Sequence, residues 1–535
     1  MSKRASYVLL ALIMAISVCV YGFFTWLKEG YHCDEIYSYG LSNTTFHYDM
    51  FEEDGSLRWN TAEDMDEYMV VPEGGGFDYG TVFKNQEDDV HPPLFYIFLH
   101  TFSSFTPGEY SMYPPIIMNI IFTLGAGLFL YLIALRVFKK SSLALLTVAA
   151  YMLSITCINM TIFIRMYAML IFFTVAIAYI HIRIMENEYK MSWGEAISLA
   201  LLTFLGSFTQ YYFFLFLLPL AGFVFADMLL HGKGKECIRY VGVMIFTAVA
   251  YIAVWSPVFK HLISSDRGTE AFGNLASSSF FHNLWKFLKV FRQGIGPVFS
   301  CIIVAALVAF IIVFFRKRKT SASYFKENKA YMLLFVATAV YLLIVCKIAP
   351  YQTDRYIAMI SPFVCITAIV SLKFLLKLFT KVKPLGEKTV SIITVIAVVA
   401  GILWSAVAYY FFAGFHRWES SYIYHFTDKY ESVLNEHKGK KCLLIGFHEA
   451  HLLWCFRDYE YYDGTAFVDR DNLALLSGEN RLRDEDEFML YINDEIDNQE
   501  ELIEKTKEIL GFENHELVLK YNLRNIATVY RVYRN

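Results

Sequence analysis

The chain has 535 residues, of which 56% are hydrophobic and 17% aromatic, with a mean hydropathy of +0.40. That is too apolar for a soluble protein, whose apolar share sits nearer half even with glycine counted. The net charge of −4 gives no argument for nucleic-acid binding, so what informs is how charge is distributed along the chain.

Long uncharged runs recur, each near the ~20 residues needed to cross a bilayer. Taken in order, they predict about eleven spans, at 7–27, 112–137, 142–161, 164–182, 195–209, 211–230, 239–257, 296–315, 330–349, 357–379 and 389–412. Residues 1–27 lack a small-x-small cleavage site, which argues against a signal peptide. Between the first two spans lies a large acidic loop, 28–111, with MFEEDGSLRW and TAEDMDEYM as solvated segments and GGGFDYG as a turn. Within it LFYIFLHTFSSFT (94–106) is too short to span and reads as an interfacial or re-entrant helix. A second loop, near 258–295, ends in an amphipathic aromatic-basic stretch expected along the membrane face.

Lysine and arginine set the orientation. Lys3 and Arg4 precede the first span; Arg136, Lys139 and Lys140 follow the second; Arg183 and Lys190 follow the fourth. Lys233, Lys235 and Arg239 lie between the sixth and seventh, Arg316–Lys319 after the eighth, and Lys377, Lys381, Lys383 and Lys388 between the tenth and eleventh. With eleven spans all these clusters fall on one side, which by the positive-inside rule is the cytoplasm. The N-terminus is then cytoplasmic, and loop 28–111 and everything after Phe412 are outside, in a multi-pass protein of the plasma membrane.

Residues 413–535 change character. KKCLLIGF is a short apolar run followed by EAHLLWCFRDY at helical spacing; EFMLYIN reads as a strand, NQEELIEKTKEILG as a helix with a glycine stop, and HELVLKY and ATVYRVYR as alternating strands. The fold class is therefore a membrane all-α helical bundle, residues 1–412, with a small extracytoplasmic α/β domain at 413–535. Nine cysteines are scattered with no metal-ligand spacing. Cys442 and Cys455 are close enough in sequence to pair, but a strand start and a helix end favour free thiols.

Four constellations could carry chemistry. Asp34 and Glu35 sit in GYHCDEIYSYG just after the first span, where loop polarity is the plain alternative. EDDVHPPLFYIFLH brings Asp88, Asp89 and His91 before Pro92 and Pro93; proline suits a first helical turn, which leaves the acidic pair and the histidine unexplained. NMTIFIRMYAML holds Arg165 and Tyr167 in an apolar stretch, where a charge costs about 2.5–3.5 kcal/mol at mid-membrane unless it snorkels at a boundary. YQTDRYIAMISP places Arg355 and Tyr356 where a loop meets the tenth span, as an interfacial anchor also would. The topology puts all four at the outer face. Carboxylates, a histidine and two arginines there suit a reaction between a lipid-linked anion and a hydroxyl-bearing acceptor. Arginines would hold phosphate by charge-assisted bonds and a carboxylate would act as general base.

DE after the first span, HPPL opening a membrane-edge helix, R-x-Y near the fourth span and RY near a late one together resemble the GT-C membrane glycosyltransferases. The likeness is to the branch of protein O-mannosyltransferases and lipid A aminoarabinose transferase, over roughly residues 1–370. The resemblance implies transfer of one sugar, with inversion, from a polyprenyl-phosphate donor on the non-cytoplasmic side. It also implies Asp34 as base, Glu35 as its orienting partner or a hydrogen-bonding group for the acceptor, and Asp88 or Asp89 as a second acidic group. Arg165 and Arg355 would bind the donor phosphate, with His91, Tyr167 and Tyr356 lining the substrate. The acceptor would be a glycan, a lipid or a protein, although no long lumenal insertion of the eukaryotic mannosyltransferase kind is visible. No cofactor is required by this chemistry; Asp34, Glu35 and His91 could hold a divalent ion if they converge. Two other readings stay open: a transporter or flippase of an anionic lipid-linked glycan, and a polymerase or ligase of whole glycans.

Overall fold

The computed structural model describes residues 2–28, 31–44, 56–276, 279–316, 328–382, 386–407, 428–447, 453, 456–520 and 527–535. Its helices begin with α1 (Lys3–Trp26), α2 (Cys33–Asn43), α3 (Ala62–Met69), α4 (Tyr79–Asp88) and α5 (Leu94–Ser103). Next come α6 (Tyr113–Phe138), α7 (Ser141–Met152), α8 (Ile155–Ile162), α9 (Tyr167–Glu186) and α10 (Trp193–Ser207). They are followed by α11 (Tyr212–Leu230), α12 (Gly234–Val254), α13 (Asp266–Ala276), α14 (Phe280–Ile295) and α15 (Pro297–Arg316). Helices Lys329–Ile348, Ser361–Val382 and Glu387–Val407 complete the apolar series.

Among the described residues seven helices are long and apolar enough to cross a membrane: α1, α6, α9, α11, α12, Lys329–Ile348 and Ala358–Thr380. The pair α7 and α8 passes the same test jointly but is bent by 55°, making eight if it is one span. The cause of the bend is local: Ser154 accepts a hydrogen bond from the Cys157 amide and caps a new helix there. Trp193–Ser207, Pro297–Ile312 and Lys388–Trp404 are shorter apolar helices. Each expected run thus carries helix, and the shortfall from eleven comes from length and from the bend. Part of the RKRK run (317–319), Lys383, loop residues 45–55, span residues 408–412 and most of EAHLLWC, with Cys455, lie outside the described residues.

Contacts group the chain into two compact units, Met1–Thr25 with Asp89–Phe95 and Tyr113–Gly414, and Trp26–Asp88 with Tyr96–Met112 and Phe415–Asn535. This partition differs from a boundary at 412, because most of loop 28–111 groups with the C-terminal segment. In the first unit α9 is buried on nearly every turn, as expected of a helix that is apolar all round. Its closest partners include α6, and the buried alanines Ala126, Ala134, Ala176 and Ala178 are of the small size that lets helix backbones approach.

The second unit is built on a six-stranded mixed sheet in the order β1-β3-β2-β4-β6-β5. β1 is Trp59–Asn60, β2 Cys442–Gly446, β3 Thr465–Asp469, β4 Glu487–Asn493, β5 Asn514–Lys520 and β6 Ala527–Tyr533. β2 runs parallel to β3 and β4, while β6 is antiparallel to β4 and β5. The helix Gln499–Leu510 packs Leu502, Ile503 and Leu510 into a core with Leu443, Ile445, Leu490 and Ile492. It stops where Gly511 takes a left-handed φ of +78°, a conformation glycine adopts without a Cβ penalty. β1 comes from the first loop: Trp59 pairs with Ala466 and Asn60 with Thr465. TAEDMDEYM is not simply solvated; it forms α3, with Met65, Tyr68 and Met69 buried.

Candidate functional site

The expected site residues divide between the two units: Asp34, Glu35 and Asp88 belong to the second, and Asp89, His91, Arg165, Tyr167, Arg355 and Tyr356 to the first. In the second unit the DE pair opens α2. His32 caps that helix: its Nδ1 accepts the Asp34 amide at 3.0 Å, while the Glu35 carboxylate accepts the His32 amide at 2.8 Å, a reciprocal capping box. Lys28 Nζ donates to both Glu35 oxygens, at 2.6 and 2.9 Å, and both side chains are buried. Tyr31 and Tyr39 each stack edge-on against Tyr110, and Lys28 lies 5.4 Å from the Tyr31 ring centroid. Burial lowers the Lys28 ammonium from its ordinary value against the opposing pull of Glu35, and burial raises the Tyr39 and Tyr110 phenols well above theirs.

Asp34 differs from its neighbour. Its side chain keeps 23% exposure and its carboxylate lies in the first turn of α2, where a helix favours negative charge. Asp34 is thus the member of the pair accessible for chemistry, and Glu35 the member that fixes the helix start. Asp88 ends α4 and is exposed.

One group of possible metal ligands in this region, His32, Cys33 and Asp34, has its ligand atoms within 4.8 Å of one another. His32 Nδ1 already accepts the Asp34 amide, and both Glu35 oxygens are taken by Lys28 and the His32 amide. These engagements do not suit an ion held jointly by Asp34 and Glu35.

In the first unit the HPPL turn leads into α5. Pro92 and Pro93 precede Leu94, whose amide donates to the Phe208 carbonyl at 3.1 Å; helix-start amides need such outside acceptors. Asp89 Oδ2 accepts from His91 Nδ1 at 2.7 Å, and both side chains are about one-fifth exposed. Burial disfavours the Asp89 charge, but His91 and Arg165 outweigh it and hold the carboxyl below its ordinary value.

Arg165 lies in the break Phe163–Met166 between α8 and α9 and is 5% exposed. The Phe163 carbonyl accepts from the Arg165 amide at 2.7 Å and from Asn119 Nδ2 of α6 at 2.8 Å, so this carbonyl is satisfied where the helix breaks, as irregular backbone at membrane depth requires. Arg355 sits in the turn Asp354–Tyr356, half-buried beside Tyr356, with its guanidinium 5.5 Å from that ring centroid. Asp354 is buried and accepts from Asn159 of α8 at 3.4 Å, which ties this turn to the helix that leads into Arg165. The Tyr356 carbonyl accepts from Tyr341 at 2.5 Å, and the Tyr212 and Tyr356 rings lie 5.3 Å apart.

Tyr212 stands within electrostatic range of Tyr356, Tyr341, Tyr167 and Arg355, and Tyr211 within range of Asp89. Tyr167, Arg355 and Tyr356 thus lie near Tyr212 at the start of α11, and Asp89 near Tyr211, with His91 and Arg165 near Asp89. Sequence reasoning missed Lys28, Asn119, Asp354, Tyr211, Tyr212 and Tyr341. Two of them had a signal: Asp354 adjoins Arg355, and the three-residue spacing of His32 and Glu35 marked a capping box whose carboxylate needed a cation.

No family model matches the chain, and no curated protein matches it by sequence. Solved structures do. The crystal structure of ArnT from Cupriavidus metallidurans bound to undecaprenyl phosphate aligns over 97% of this chain and 97% of its own at 10% identity, with a TM-score of 0.50. The apo form of the same protein aligns over 99% and 98% at 10% identity, TM-score 0.48. The Archaeoglobus fulgidus oligosaccharyltransferase tethered to an acceptor peptide aligns over 87% of this chain and 64% of its own at 12% identity, TM-score 0.45. Over nearly its full length, and despite the low identity, this chain shares the polytopic helical fold of ArnT.

Proposed function

We propose that this chain is an integral membrane glycosyltransferase that moves one sugar, with inversion, from a polyprenyl-phosphate donor to a hydroxyl-bearing acceptor on the extracytoplasmic side. The observation that carries the reading is that Arg355, Tyr167 and Tyr356 lie near Tyr212 at the start of α11, while Asp89, near Tyr211, lies near both His91 and Arg165. Two guanidinium groups in irregular segments between apolar helices suit a phosphate that arrives on a lipid. ArnT, whose fold the chain shares, was crystallised with undecaprenyl phosphate, in keeping with that ligand class.

In this scheme the Asp34 carboxylate takes the acceptor's hydroxyl proton. The acceptor oxygen forms its bond to the anomeric carbon as the bond from that carbon to the phosphate oxygen breaks, and polyprenyl phosphate leaves. Arg165 and Arg355 stabilise the charge that grows on the leaving phosphate. Asp89, paired with His91, keeps Arg165 placed. Glu35 holds the start of α2, so that Asp34 stays in position. No step is assigned to a divalent ion, since Glu35 spends both oxygens on Lys28 and the His32 amide.

In reconstituted protein supplied with a polyprenyl-phosphate sugar, Asp34→Asn is expected to abolish transfer while donor binding stays near wild type. Transfer by that variant at close to the wild-type rate removes Asp34 as the base. Product mass tests the reaction type: an increment of one sugar supports the reading, and a multi-sugar block assigns the chain to glycan polymerisation or ligation.

A further inference from the structure

α14 reads FFHNLWKFLKVFRQGI, and it buries Phe287, Phe291, Gly294 and Ile295 on one side. Gly294 sets the depth of that contact, since a Cβ there would come within 2.0 Å of Thr156 Oγ1 on α8. The outward half of the helix is divided lengthwise. Phe281, Trp285 and Leu288, at i, i+4 and i+7, form an apolar strip that is 80%, 60% and 46% exposed. His282, Lys286, Lys289 and Gln293 repeat this spacing one residue on; at about 100° per residue they form a second, polar strip beside the first.

Arg292 closes the apolar strip, and α14 contains no acidic residue. Phe259, Ile263 and Phe272, on the segments that precede it, are exposed as well. An apolar strip flanked by cations without a single carboxylate matches a surface of anionic phospholipid: rings and leucine enter the acyl boundary while lysine and arginine reach headgroup phosphates. Lys289 over the Trp285 ring, 5.7 Å from its centroid, brings the two strips together at one point.

We propose that α14 docks on an anionic phospholipid surface and is the element through which the protein prefers such lipids. The helix is also tied to the segment that carries Arg355. Asn283 Nδ2 donates to the Cys346 carbonyl at 3.0 Å, and Lys286 Nζ to Gln352 Oε1 at 3.4 Å.

The test uses the full-length protein reconstituted in phosphatidylcholine vesicles with graded phosphatidylglycerol. Lipids brominated near the glycerol backbone are expected to quench part of the tryptophan emission, and Trp285→Phe should lower that part, the rest coming from the exposed Trp26, Trp193 and Trp404. An equal quench in Trp285→Phe means that the strip does not meet the bilayer and faces a protein instead, which overturns the proposal. Spin-labelled phosphatidylglycerol is expected to associate in preference to phosphatidylcholine. Lys289→Gln and Arg292→Gln should each cut that preference about fivefold, the loss of one surface cation, while Lys505→Gln, on the exposed helix of the C-terminal sheet, should leave it unchanged. An unaltered preference in the first two variants, or an equal loss in the third, assigns the lipid contact elsewhere and ends the proposal.

Discussion

Lys28 and Glu35 form an ion pair that neither partner shares with water. Such a pair returns little net stability when intact, because desolvation offsets the attraction, but losing one partner strands the other charge. Lys28→Met is expected to destabilise the second unit by about 3–5 kcal/mol, read as a fall in the denaturation midpoint. Lys28→Met with Glu35→Gln should recover most of the loss, since glutamine at the third helical position still serves a capping box. If the double variant is no better than the single one, the stranded charge is not the cause. Asp89 offers a pH test. Its carboxyl is held below the ordinary value by His91 and Arg165, so its contribution to stability is complete above the unfolded carboxylate pKa of about 3.9 and lost as pH falls through the lower folded value. The gap in melting temperature between wild type and Asp89→Asn should therefore be widest near neutrality and close below about pH 4; a gap independent of pH contradicts the assignment.

At the scale of single elements, the break between α8 and α9 does the positioning. Uncharged runs on either side of Arg165 are plain in the sequence, and R-x-Y stands out because an arginine is costly among apolar residues. What the sequence hid was the backbone. Asn119, 44 residues away, supplies the donor for Phe163, and no local pattern announces a partner at that distance. Asn119→Ala should cost about 1 kcal/mol in thermal stability and weaken the binding of polyprenyl phosphate more than it slows turnover, because it disturbs the segment that carries Arg165. Unchanged binding would mean that Arg165 is placed by other contacts. The same contrast holds for strands. Alternation made β4, β5 and β6 legible, and a glycine stop ended the helix before β5. TAFVD is one short apolar run, and β1 is two residues long, below any period a sequence can display.

Across the whole molecule, the two-residue strand β1 matters more than its length suggests. Trp59 donates to Glu479 at 3.1 Å, lies 5.9 Å from Lys441 Nζ at its ring centroid, and packs against the core of the C-terminal sheet. Sequence order separated this loop from residues 413–535 by the full apolar series, so a domain boundary at 412 was the natural reading; only pairing across some 400 residues (Trp59 with Ala466) groups them. Trp59→Ala is expected to cost on the order of 2 kcal/mol, less than the ~3–5 of a fully buried tryptophan. Limited proteolysis should then find the stretch around residue 59 and the strands after Lys441 opening together; independent opening of the two would refute a shared unit.

That pairing also constrains how such proteins can be recombined. A chimera that exchanges only the tail after residue 412 would graft a sheet edge onto a foreign β1 and mismatch Trp59 with its seat. Grafts that carry both pieces as one cassette keep the register, so they should fold where a tail-only exchange does not.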